Sequence, residues 1–383
     1  MNRRNFLQAL GALGVTTPLS AQAFLNLDWL NDSPKEFWLS ASGHRSDQYA
    51  ASWVSKQADH VTAKQVLTGF RGHGLAQNPK QPEQIIMTGR SPATQSIVLD
   101  LVTGNTVHTM PSLPNHHMQG HACFSHDGQF LFSTEAHKVT GQGRISVRDT
   151  QTFSVVNHFD SHGIGPHELC LMPDQKTLVI ANGGLHKSFN GNRKVLNLQT
   201  MDSSLVYINS ETGQLVSQHR LEEKSASIRH IDVNTDGTVA AAIQVQRAVS
   251  GHSHSIPLAA IHKPNSLNLI LLNAEDKVIE KLNDYLGSVR IHSELNIAAF
   301  TSPKGNLALF WNMKTEELIG LHAFHNVCGL TLDSENKHFI LSNSAGKIRQ
   351  INALTLKEDR DRRMSFPNLH WDNHMFTAQI RSS

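Results

Sequence analysis

One repeated unit constrains this 383-residue chain more than any other feature. The unit opens with a Gly/His/Arg-type start to a short apolar strand. A polar turn follows, then a second apolar strand, and later a strand ending in a hairpin. The clearest copy is Gly120-His121-Ala122-Cys123-Phe124-Ser125-His126-Asp127-Gly128-Gln129-Phe130-Leu131-Phe132, completed by Ile145 to Phe153. Further copies start at Gly72-His73-Gly74, at His167, at Arg229-His230, near Gly287 and at Val327-Cys328-Gly329. Asp127-Gly128, Asp236-Gly237, Thr103-Gly104 and Thr212-Gly213 have the chemistry of tight turns that accept positive φ. Unit starts lie about 40 to 63 residues apart, the period of a four-stranded propeller blade. A seventh blade can be assembled from both ends, with Phe37 to Ala41 and Tyr49 to Val54 from one and His370 to Gln379 from the other. Sharing a blade closes the ring and removes exposed sheet edges. The expected fold is therefore all-β, a seven-bladed β-propeller closed by pairing of N- and C-terminal strands in one blade.

The start of the chain reads as an address. Asn2-Arg3-Arg4-Asn5-Phe6-Leu7 is a twin-arginine pattern, and Ala9 to Val15 is short and mildly apolar. Ala21-Gln22-Ala23 places small residues for cleavage before Phe24. We expect residues 1–23 to be a twin-arginine signal peptide, residues 24–383 to be one propeller domain, and the product to be periplasmic. Twin-arginine export carries folded proteins, often ones that load a metal or cofactor first. Three cysteines, Cys123, Cys170 and Cys328, rule out a full disulfide framework and permit at most one bridge. Cys123 and Cys170 sit at equivalent offsets in neighbouring units, so they are either that bridge or two buried thiols.

Composition adds two exclusions and one question. Lys and Arg number 34 against 32 Asp and Glu, and removing Arg3 and Arg4 leaves a formally neutral chain. A nucleic-acid partner needs a clear basic excess, so none is expected. No apolar run is long enough for a membrane span. The chain nevertheless holds 24 histidines, the commonest metal ligand. His73, His121, His167, His230 and His370 all fall where a first strand begins, and first strands line a propeller's central channel. Ring symmetry then converges them on one axis. Four of these, His73, His121, His167 and His230, are the candidate metal ligands. With Glu135, Glu168 and Asp232 nearby, the donor set suits a borderline transition metal such as Fe, Cu or Zn. Cys328 takes the equivalent place in another unit. Arg71, Arg229 and Glu168 are candidate ligand-binding residues, because an His/Arg funnel suits a small anionic ligand, a metal chelate or haem propionates. Covalent haem is excluded, since no Cys-x-x-Cys-His occurs. Two long segments, about Asn182–Asp202 and Arg247–Asn268, are placed to cover the channel mouth. The chain has no Gly-x-Ser-x-Gly elbow, Walker loop or dinucleotide fingerprint.

Several motifs resemble a family of twin-arginine-exported bacterial propellers of unknown function. They are the Arg3-Arg4 leader, Phe70-Arg71-Gly72-His73-Gly74, Gly120-His121 with Ser125-His126-Asp127-Gly128, Gly165-Pro166-His167-Glu168-Leu169, and Ser227-Ile228-Arg229-His230. In that family, genes often lie beside those for imelysin-like iron-regulated proteins and a di-haem thiol-oxidoreductase-like protein. The resemblance implies a seven-bladed fold, periplasmic iron- or metal-uptake partners and a role in metal acquisition, but no reaction. The expected function is binding of a transition metal or anionic metal chelate at the channel mouth. The alternatives are a metal-dependent hydrolase, lactonase or oxidoreductase, and a protein-interaction scaffold whose histidines pack between blades.

Overall fold

Seven four-stranded antiparallel sheets follow one another around the ring in a computed structural model that describes residues 35–57, 60–188, 194–251 and 254–380. The expected leader, residues 1–23, and His252 lie outside the described residues. Each sheet runs in simple meander order from an innermost strand outward. We number the blades from the first complete one. The innermost strands are Gly72–Gln77 in blade 1, His116–Phe124 in blade 2, Pro166–Leu171 in blade 3 and Ala226–Val233 in blade 4. Those of blades 5 and 6 are Ser288–His292 and Val327–Leu332.

Blade 7 closes the ring as the sequence predicts. Its innermost strand is the C-terminal Phe376–Ile380, and its outer three come from the other end of the chain. Lys35 pairs Ile380 and Leu39 pairs Phe376, antiparallel. The inner strand of this blade starts six residues later than expected, at Phe376 rather than His370. That shift changes which histidine reaches the axis.

The sheets pack face to face through alternating apolar side chains. Phe37, Leu39 and Trp53 of blade 7 meet Ile85, Met87 and Leu99 of blade 1. A larger cluster spans blades 3 to 5, with Ala240, Ala241 and Ala242 fully buried between Val179 and Phe300. Small residues in the second strand of blade 4 let its neighbours approach. Threonines on second strands also stitch one blade to the next inner strand. Thr134 donates to the carbonyl of His167 at 3.2 Å, Thr301 to that of Cys328 at 2.8 Å, and Thr88 to that of Gly120. The turn glycines Gly128 and Gly237 adopt φ of +63° and +87°, as their Asp-Gly chemistry requires. Among the described residues, no helix is long and apolar enough to cross a membrane.

Candidate metal centre

A regular strand would alternate its side chains between the two faces of its blade. The inner strands avoid this with β-bulges. The ladder slips between Gly72 and Leu75, between Met118 and Ala122, between Pro166 and Glu168, and between Ile228 and His230. Each slip falls on or beside His73, His121, His167 or His230. Each bulge re-aims the local side chains: His73, His121 and His167 are left outside the ladder, whereas in blade 4 the residue left out is Arg229 and His230, next to it, pairs Ala242. Four blades therefore deliver four imidazoles to the axis, all buried. The inner strand of blade 5 pairs without a slip and supplies no ring to the group.

The fifth ring is His374, just before the innermost strand of blade 7. His370, expected in this role, instead stacks on His44 at 4.2 Å and contacts the carbonyl of Ser344. The late strand start explains the difference. His374 is the histidine adjoining the final apolar run Met375-Phe376, and that adjacency is the sequence signal for it.

Close packing of the rings depends on glycine. A Cβ at Gly120, where φ is +114°, would overlap the His73 ring, and one at Gly74 would lie 2.7 Å from His121 Nδ1. The Gly-His-Gly and Gly-His pairs thus make room for neighbouring imidazoles. Nine of the ten ring pairs among the five have centroids between 4.3 Å (His230 to His374) and 5.8 Å (His73 to His230) apart.

Nitrogen positions decide what this group can do. His374 Nε2 is 3.3 Å from His73 Nε2, which is 3.4 Å from His167 Nε2, which is 3.2 Å from His230 Nε2. Glu168 fixes two tautomers from outside: His121 Nδ1 lies 3.1 Å from Oε1 and His230 Nδ1 lies 3.1 Å from Oε2. Ile231 N–H also donates to Oε2, at 3.0 Å. Burial alone would raise the Glu168 carboxyl. Its two imidazole partners outweigh that and hold it well below the usual carboxylate range. An ionised carboxylate only accepts, so both Nδ1 atoms carry hydrogen and both Nε2 atoms keep lone pairs. The Ser288 hydroxyl donates to the carbonyl of Asn373, so its oxygen is left to accept from His374 Nδ1 at 2.9 Å. Carboxylate and hydroxyl groups behind ligating imidazoles are the usual orienting partners of a metal site.

Hydrogen bonds can serve at most two of the three contacts in this chain of rings. Three Nε2–Nε2 contacts join four imidazoles, and the two end rings, His230 and His374, face it with lone pairs. Neutral His73 and His167 supply at most two hydrogens between them. Buried nitrogens without a partner remain at His121 Nε2, His73 Nδ1 and His167 Nδ1. With His73 and His167 in their Nδ1–H tautomers all four facing Nε2 atoms present lone pairs, which a cation would satisfy. Donors about 2.0–2.1 Å from a tetrahedral ion are spaced about 3.3–3.4 Å apart, and the three successive Nε2 separations along the chain are close to that spacing. His73, His167 and His230, and likewise His73, His121 and His374, bring candidate donor atoms within 4.8 Å of one another. Burial, reinforced by mutual repulsion and by nearby Arg90 or Arg229, pushes His73, His167 and His374 well below the ordinary histidine value. Burial likewise brings His230 down to about 4. These rings are neutral donors at neutral pH.

The remaining candidates take other places. Glu168 orients two imidazoles from behind. Arg71 is committed to Asp372 through a fork of 2.6 and 2.9 Å, and Arg90 joins the same carboxylate at 3.1 Å. This clamp anchors the segment carrying His374. Arg229 lies beside His167 and lines a small cavity with it. Glu135 is buried against Arg148 and accepts from Leu113 N–H. Asp232 accepts from Ile291 and Val233 N–H. Cys123, Cys170 and Cys328 are all free thiols. Burial pushes Cys123 and Cys328 up to about 12, and Cys328 packs against the carbonyls of Ser342 and Trp371. Of the two long segments, the first contributes Leu185, His186 and Lys187 to the cavity beside His167. The second buries Ile256 and Leu258 in the core, and its His262 is bonded to Tyr207. On the other side of the cluster a cavity of about 460 Å³ is bordered by His121, Glu168, His230 and His374.

Fold and site together define a seven-bladed β-propeller with five imidazoles gathered in its channel. The chain belongs to the family described as Protein of unknown function (DUF1513), which it matches over residues 66–378. Every motif behind the resemblance except the leader falls within that match. Comparison with curated proteins finds no match. Among solved structures, Kuenenia stuttgartiensis Hydrazine Synthase is similar at TM-score 0.60, covering 90% of this chain and 95% of that chain at 14% identity. At that identity the likeness describes the fold alone.

Proposed function

We propose that this protein is a periplasmic metal-handling propeller. It binds one transition-metal ion, bare or as an anionic chelate, through Nε2 atoms of the His73, His121, His167, His230 and His374 group. Glu168 and Ser288 orient the rings. The expected twin-arginine leader and the neighbours that the resemblance implies support a role in iron or other metal acquisition. The observation that carries the reading is the buried chain of Nε2 contacts at 3.2 to 3.4 Å, of which hydrogen bonds can serve at most two of three, with Glu168 and Ser288 orienting rings from behind. An all-imidazole donor set with no thiolate suits Fe, Cu or Zn.

Elemental analysis of protein purified through its native export route tests this. About one transition metal per chain is expected, with loss on chelation and recovery on titration with Zn²⁺ or Cu²⁺. Metal-free protein that takes up none on titration would overturn it.

A second reading rests on the large cavity beside His121, His230 and His374. A bound metal with an open position there would activate water for hydrolysis or oxidation. Turnover of ester or lactone substrates that is lost on chelation and restored by metal would favour it over plain binding.

A further inference from the structure

A second cavity, of about 60 Å³, borders the cluster on the side of His167. Its volume admits about four to six water-sized groups, the scale of one compact oxyanion. Arg90, Arg229 and Lys187 line it together with His117, His167 and His186, and among the described residues no aspartate or glutamate does. Two glycines shape it. A Cβ at Gly183 would lie 2.7 Å from Arg229 Nη1, and one at Gly141, where φ is +71°, would lie 2.7 Å from the His186 ring. The backbone thus yields space to a guanidinium and an imidazole at the cavity wall. His186 Nε2 is buried without a hydrogen-bond partner. His167 presents Nε2 to the cluster, lines the cavity, and leaves its Nδ1 buried without a partner. When Nε2 binds a metal, Nδ1 carries the ring's hydrogen and needs an acceptor.

We propose that this cavity is an oxyanion site, taking one phosphate-like or carboxylate group on Arg229, Lys187 and Arg90 with the His167 Nδ1–H as a further donor. Arg90 is held at its wall by Asp372, and a guanidinium fork suits planar or tetrahedral oxyanions. This deepens the chelate form of the function above and rests on that reading for what the anion accompanies. The cavity's own occupancy is separately measurable.

Calorimetric titration of the full mature protein with inorganic phosphate, and separately with oxalate, tests the site in metal-free and Zn²⁺-treated samples. Saturable binding of either probe is expected, and the stronger probe identifies the oxyanion class. Arg229→Gln should weaken it about 10-fold or more and Lys187→Gln about 3- to 10-fold, with Zn²⁺ uptake retained. The Lys187→Gln variant serves if Arg229→Gln misfolds. Absence of saturable binding of both probes would overturn the site, as would affinity unchanged in both variants. Anion binding without Zn²⁺ uptake would sustain this site while removing the metal reading. Zn²⁺ uptake without anion binding would do the reverse.

Discussion

Glu168 couples the cluster to its scaffold, because one carboxylate holds two imidazoles in the tautomer that frees their Nε2 lone pairs. Glu168→Gln keeps the volume but turns an N–H₂ group toward one Nδ1. That forces one ring into the opposite tautomer and removes a donor. Metal affinity measured by chelator competition should fall about 10- to 100-fold with the fold intact, and an unchanged affinity would dismiss the orienting role. His73, His167, His230 and His374 set an acid limit on the metal-free protein. Burial holds His230 down to about 4 from an ordinary 6.5, and places His73, His167 and His374 well below that value. The unfolded chain therefore takes up protons first as pH falls. Stability is complete above about pH 6.5 and drains away toward about pH 4. Urea midpoints should drop clearly between about pH 7.5 and about pH 5; a flat profile would mean the rings are not buried neutral.

Among the elements, the bulged inner strands do the placing. Gly120→Ala adds a Cβ against His73 at a φ of +114°. We expect a cost of about 1–3 kcal/mol and weaker metal binding, seen by denaturation and chelator competition; full retention of both would show that the rings can repack freely. Bulges also explain what the sequence does and does not disclose. Recurring turns and strand starts make the blades readable, and spacing alone brings His73, His121, His167 and His230 to equivalent places. The ladder slips beside them are invisible to period-two reasoning, so the direction of each ring is not readable. His374 is hidden for a related reason. In the run from His370 to Gln379 only the apolar pair Met375-Phe376 marks where the strand starts, and the Asp372 clamp on Arg71 and Arg90 joins residues about 300 positions apart. Arg71, with its conspicuous place beside Gly72-His73, is thereby an anchor for the His374 segment.

Over the whole molecule, closure and site formation are one event. Residues from blades 1, 2, 3, 4 and 7 meet only when Phe376–Ile380 pairs with Lys35–Ser42. Deleting residues 376–383 should abolish cooperative thermal unfolding, because it removes the innermost strand of blade 7 and leaves the edge of Lys35–Ser42 unpaired; a deletion variant that still melts cooperatively would show the ring does not need its terminal strand. The metal itself tests the account most directly, by X-ray absorption on protein loaded with one equivalent of Zn²⁺. A metal held by the axial histidines gives a shell of imidazole nitrogens at about 2.0–2.1 Å with no sulfur near about 2.3 Å. A sulfur shell, or oxygen donors without imidazole scattering, would place the metal elsewhere and contradict an axial histidine centre.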